Sequence, residues 1–225
     1  MLHRSTGRTP VRPRIVRVLA CLAAALAWLP LPLHAQYFGQ NRVRWERFDV
    51  QVLRTAHFDI HFDKAAEPTV RETARKAERW YERLSSLLGH TFTQRKPLVL
   101  YTNHPDFQQT TLSDTPLSEG TRGFAESLRD RLVMPLTGVG AENDHVLGHE
   151  IAHLFQFDMA RQVRGGNGLM QLPLWFVEGM AEYVSLGSDD PNTAMWLRAA
   201  LTAGELPGID ELTTCLLYTS PSPRD

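Results

Sequence analysis

The residues best equipped for chemistry lie in the segment His145-Val-Leu-Gly-His149-Glu150-Ile-Ala-His153. His149 and His153 are four positions apart, so on a helix both imidazoles leave one face and can grip a single zinc ion. Glu150 follows the first of them, rotated by about 100° around the helix axis, and can act as a base on water at the metal without binding the metal itself. A catalytic zinc site needs three protein ligands and one open position. Glu178, in Leu174-Trp-Phe-Val-Glu178-Gly-Met-Ala-Glu182-Tyr183, follows His153 after 24 intervening residues. That distance lets one helix finish, a loop turn, and a second helix return antiparallel. Glu182 lies one helical turn beyond Glu178 and shares its face.

An HExxH helix followed by W-x-x-E-G-x-A-x-Y resembles the gluzincin clan of zinc metallopeptidases, with Trp175, Glu178, Gly179, Ala181 and Tyr183 matching the second element. Together with Tyr37-Phe-Gly-Gln-Asn41 and the strand that contains His57 and His61, it is similar to the peptidase MA-like domain of exported bacterial proteins, which often precedes a β-propeller. The resemblance spans roughly Gln36 to Gly204. It implies His149, His153 and Glu178 as zinc ligands, Glu150 as general base, and Glu182 as the carboxylate that orients a ligand histidine through its second nitrogen. The expected reaction is hydrolysis of a peptide bond by a metal-activated water. No residue stands out as the oxyanion donor: Tyr183 reads as a packing residue, and His145, four residues before His149, is either near the site or, the favoured reading, an exposed histidine at a helix start.

The elements that must position these groups are legible from periodicity. His57-Phe-Asp-Ile-His-Phe-Asp63 alternates strictly and predicts a strand with Phe58, Ile60 and Phe62 on one face and His57, Asp59 and His61 on the other. Val70, Ala74, Ala77, Trp80, Tyr81 and Leu84 recur at three- and four-residue steps and predict a helix over 67–88, ended by Gly89. Pro97–Tyr101 reads as a strand, followed by a loop over 102–105. Gly123–Leu128 and Leu132–Leu136 read as a hairpin whose second arm, carrying Pro135, is an edge strand or leaves the sheet there. Such an edge beside the HExxH helix can accept an extended peptide by strand addition. Helices are predicted over 144–164, 174–186 and 193–203, the first two joined by the flexible Gly165-Gly-Asn-Gly168. In the HExxH helix Leu147, Ile151, Leu154 and Phe155 form the stripe that faces a core. The fold class expected is mixed α+β: a zincin-like domain with a small N-terminal sheet, the HExxH helix beneath its edge, and a helical C-terminal part.

Composition bounds the rest. With 225 residues, 43% hydrophobic and 22% charged, the chain can bury a core. Residues 1–35 carry five arginines and no acid before the apolar run 18–33, the build of a signal peptide, with Ala35 as cleavage point. Pro30 and Pro32 interrupt that run, so export is expected, periplasmic or extracellular, with no stable membrane anchor. Residues 215–225 resemble the translation of a sequencing adapter, so the peptidase-like domain is expected over 36–214 and to continue beyond it in the natural protein. Leaving out both ends leaves 18 basic and 24 acidic residues, a net charge of −6, which disfavours a nucleic-acid partner. Cys21 and Cys215 both fall in the ends, so any metal site is built from His and carboxylates. The partner expected is a peptide or protein substrate. The rival reading is a catalytically inactive scaffold or peptide-binding module attached to a β-propeller; against it, a scaffold has no physical need of Glu150.

Overall fold

Strict alternation in 58–63 produces the central feature of the fold. Phe58, Ile60 and Phe62 are buried on one face of strand β2 (Phe58–Asp63), and the polar residues between them are half-exposed on the other. The structure, a computed structural model, describes residues 48–113, 116–162 and 172–212, without the side chains of 209 and 210. The proposed leader, the glycine cluster 165–168 and the C-terminal eleven residues lie outside the described residues.

β2 joins a five-stranded sheet with β1 (Val50–Arg54), β3 (Lys96–Tyr101), β4 (Phe124–Glu126) and β5 (Arg131–Pro135), in the order β1-β2-β3-β5-β4. The inner pairs β2–β3 and β3–β5 are parallel, and the outer strands β1 and β4 run antiparallel to their neighbours. The chain is thus a mixed α+β fold. The hairpin is present, but its edge is the first arm, β4. β5 is an inner strand, a correction to the expectation of an edge there, whereas the alternative, that the strand leaves the sheet at Pro135, agrees with its end at that residue. Pro135 is tolerated because it is the last residue of β5, aligned with Tyr101 of β3, whereas pairing to β4 has ended at Val133.

Helix α1 (Glu67–Leu88) covers one face of the sheet. It follows a single 3₁₀ turn, Lys64–Ala66, capped by Asp63, and stops at Gly89, whose φ of 61° is the left-handed conformation that a C-terminal cap uses. All six apolar positions predicted for its inner face are buried. The segment 102–105 departs from expectation: Asn103 caps a short helix, α2 (His104–Gln108), by accepting from the Asp106 amide at 2.9 Å. A small second apolar cluster, Tyr101, Phe107 and Val133, lies apart from the main one.

Helix α3 (Gly140–Gln162) carries the HExxH segment and starts four residues earlier than predicted. Every residue from Glu150 to Gln156 is buried, because α1, the β4–β5 hairpin and α4 (Leu174–Leu186) enclose that stretch. α1 and α3 approach closely at one point. A Cβ on Gly148 would fall 2.6 Å from the indole ring of Trp80, so only glycine fits there. The Trp80 N–H, in turn, donates to Asp144 at 3.2 Å. Helices α5 (Pro191–Ala203) and α6 (Ile209–Leu212) follow, and none of the described side chains of α5 is buried. Among the described residues, no helix is long and apolar enough to cross a membrane.

Candidate metal centre

The 3.6-residue repeat of α3 stacks His145, His149 and His153 along one side, and α4 runs past that side in the opposite direction. The contacts show the antiparallel sense: His145 and His149 meet Glu182, His149 and His153 meet Glu178, and Gln156 meets Val177. Sequence spacing therefore converts into a converging group. His149 Nε2 and His153 Nε2 are 3.1 Å apart, and each is 3.4 Å from Glu178 Oε2.

The outer nitrogens decide what this triangle can hold. His149 Nδ1 lies 2.9 Å from Glu182 Oε2, and an ionised carboxylate only accepts, so Nδ1 carries the proton. His153 Nδ1 lies 2.7 Å from Gln156 Oε1, and the Gln156 amide nitrogen is committed to the Val177 carbonyl at 2.8 Å. That fixes the amide orientation and makes His153 Nδ1 a donor as well. In the neutral ring each Nε2 is then left as a lone pair, aimed at the other ring and at a carboxylate. Three acceptors this close repel unless a cation or shared protons sit among them. Three ligand atoms on a tetrahedral zinc with bonds of ~2.0–2.1 Å are about 3.3 Å apart. The observed separations fit that triangle, and the residue types fit zinc.

The electrostatics carry the same demand for positive charge. Burial pushes the His149 pKa down, but hydrogen bonds to Glu178 and Glu182 and the charge of Glu150 outweigh it and raise it to about 10. His153 is raised too: burial opposes, and its hydrogen bond to Glu178 prevails. Hydrogen bonds from His149 and His153 hold Glu178 down to about 2, and those from His145 and His149 do the same for Glu182. Glu150 moves the other way. Its side chain is buried beside the triangle, and burial raises its pKa against the pull of His153 and His149. The backbone of Ala125 in β4 acts weakly in the same lowering direction as the two histidines.

A second group, His145, His149 and Glu182, also brings three ligand atoms together. It is satisfied as it stands, because Glu182 accepts from His149 Nδ1 at 2.9 Å and lies 3.1 Å from His145 Nε2. Glu182 thus occupies the orienting position beside His149. His145 is half-buried against it, where an exposed helix-start residue had been expected. Tyr183 differs in the opposite sense: it is 62% exposed and does not pack. His57 and His61 stand in β2 and do not join the group; His57 pairs with Glu78 at 2.6 Å and stacks on Tyr81. His104 lies 2.9 Å from the Thr121 carbonyl through Nε2.

Sequence reasoning missed Gln156 and Ala125, and ranked second the placement of His145 near the site that the structure shows. Gln156 is three residues past His153, so helical spacing alone would have flagged it. Ala125 contributes only a backbone amide, for which no side-chain signal exists. No protein-family model, no curated protein and no solved structure matches this chain.

Proposed function

We propose that this chain is a zinc metallopeptidase of the HExxH type, with His149, His153 and Glu178 as ligands and Glu150 as general base. The observation that carries the reading is the convergence of two imidazole Nε2 atoms and a carboxylate oxygen at tetrahedral spacing, with Glu150 beside them on the same helix. When bound, zinc would supply Lewis acidity, lowering the pKa of water and polarising a carbonyl. The chain's own residues do the rest. Glu182 and Gln156 hold the two rings in one orientation, with each Nε2 turned toward Glu178, where His149, His153 and Glu178 would hold the metal. Glu150, with its pKa lifted by burial, is suited to take a proton from attacking water and return it to the departing amine.

The substrate on this reading is a peptide or protein met after export, in keeping with the leader-like 1–35 and the acidic balance of 36–214. Among the described residues the outer edge of β4 has no strand partner, so an extended peptide can lie along it beside Glu150.

Zinc stoichiometry tests the reading directly. The purified chain is expected to hold about one zinc, and Glu178→Ala to lose it or bind it at least ~10-fold more weakly. A folded wild-type chain that takes up no zinc from a metal-buffered solution would overturn the proposal in favour of the scaffold reading.

A further inference from the structure

Alternation gives the sheet a second face, turned away from the core that α1 and α3 share with it. Val52, His61, Val99, Val133 and Phe124 form one cross-strand row on that face, each aligned with the next in the register of the sheet. α2 and the segment after it cover one half, where Tyr101, Phe107 and Val133 cluster with Leu112 and Phe124. The other half is open, and Val50 and Val52 of β1 are 56% and 48% exposed. A cavity of about 380 Å³ runs along β2 and β3 beside Leu112, large enough for a small organic molecule. None of its lining residues belongs to the metal-binding groups.

The two ends of this cavity differ in charge. At the C-terminal ends of β2 and β3 stand Asp63 and Tyr101, with the Phe48 ring edge-on to Tyr101 at 6.1 Å. The Tyr101 hydroxyl donates to Thr110 at 2.8 Å, so what remains of that side chain is apolar ring. Asp63 is committed to the amides of Asp49 and Ala65, both at 2.9 Å. At the N-terminal end of β5 stand Arg129 and Arg131. Arg131 is engaged, pairing with Glu126 at 2.5 Å and donating to the Leu112 carbonyl at 3.2 Å. Arg129 has no ion pair or hydrogen bond among the described residues, and neither has His61, midway along the floor. The wall from Pro97 to Tyr101 is four strand steps, or ~13 Å.

We infer that this cavity binds a medium-chain fatty acid, with the carboxylate on Arg129 and the chain running past Val99 and Leu112 to Phe48 and Tyr101. The charge pattern sets the direction. A carboxylate at the Asp63 end would meet a like charge, whereas at the other end it meets a guanidinium with no other partner, whose fork matches it. The apolar wall sets the length: at three bonds per ~3.4 Å of extended chain, ~13 Å holds about ten bonds. The site is separate from the metal centre and does not depend on its chemistry.

Calorimetric titration of the full chain with decanoate, once in chelator and once with stoichiometric zinc, tests it. One site per chain is expected, with a Kd of about 1 mM or tighter and the same in both conditions. Decanol has the same chain and no charge, and should bind about fivefold more weakly or worse; Arg129→Ala should weaken decanoate to the same degree. The His61 ring protons should shift as decanoate is added. Val99→Phe, which fills the middle of the cavity, should abolish uptake, and Arg129→Ala, a change at an exposed side chain, keeps the test decisive if that variant does not fold. Binding that needs zinc would put the acid on the metal centre. Decanol binding as tightly as decanoate would leave only an apolar patch, and uptake that rises as a dimer dissociates would assign the open face to a second copy. Each of these overturns the proposal, as does no binding at all. A chain that takes up decanoate but no zinc would sink the preceding reading and leave this one standing.

Discussion

Glu150 stands apart from the other acidic groups of the site, because Glu178 and Glu182 are held well below the ordinary carboxylate range and Glu150 is lifted above it. The difference is one of partners. Glu178 and Glu182 each meet two imidazoles, whereas Glu150 is buried and feels His153 and His149 as nearby charges that do not offset its burial. A ligand must stay ionised to hold a metal, and a base must be able to take a proton, so the two environments suit the two roles. Burial of an underpartnered carboxylate also costs stability, which an isosteric neutral group would not. Glu150→Gln is accordingly expected to keep zinc at wild-type stoichiometry, to melt no lower than wild type, and to lose at least ~10²-fold in turnover. Metal analysis, thermal melts and a peptide-hydrolysis assay on one preparation check all three. Retained turnover would remove Glu150 from the mechanism.

At the scale of elements, the site depends on how closely α1 and α3 can approach. Trp80 lies flat against the backbone at Gly148, beside His149, and Arg83 sits over the same indole at 5.1 Å, so the ring has little room to retreat. Gly148→Ala would put a methyl inside the ring's contact distance and force the helices apart. A loss of about 1–3 kcal/mol in unfolding free energy is expected, the usual cost of overpacking, read from denaturant melts with an unchanged m-value. A variant as stable as wild type would mean that the indole moves freely. This contact also marks the limit of what the sequence discloses. Periodicity foretold β2, α1 and α4 because each buries one face with a regular repeat. Spacing foretold that His149, His153 and Glu178 would come together, because helix geometry turns four residues into one turn. Gly148 carried no such signal: a glycine inside a helical pattern has no periodicity, and its partner Trp80 lies 68 residues away in sequence. The order of the strands was equally hidden, since Pro135 speaks for its own missing N–H and not for which neighbour lies on either side.

For the whole molecule, the site is a place where three carboxylates and three imidazoles from two helices must be reconciled with a buried setting, and protons and, on the proposed reading, zinc are competing ways of doing so. Their pH dependences have opposite signs. In the metal-free chain Glu178 and Glu182, held at about 2, contribute stability that is present above the ordinary carboxylate range and lost as pH falls toward about 2. His149, raised to about 10, contributes stability that is complete below its ordinary value of about 6.5 and lost as pH rises through about 10. Zinc reverses the second trend, because its ligands must shed their protons and binding therefore strengthens as pH rises. The metal-free chain is expected to melt at progressively lower temperature between about pH 6.5 and 9, while the gap between zinc-loaded and metal-free melting temperatures widens over the same range. Thermal melts in chelator and in stoichiometric zinc, at matched protein concentration, measure both curves. A gap that stays constant across that window would mean that no proton leaves His149 or His153 when metal enters, and the triangle of lone pairs would not be where zinc binds.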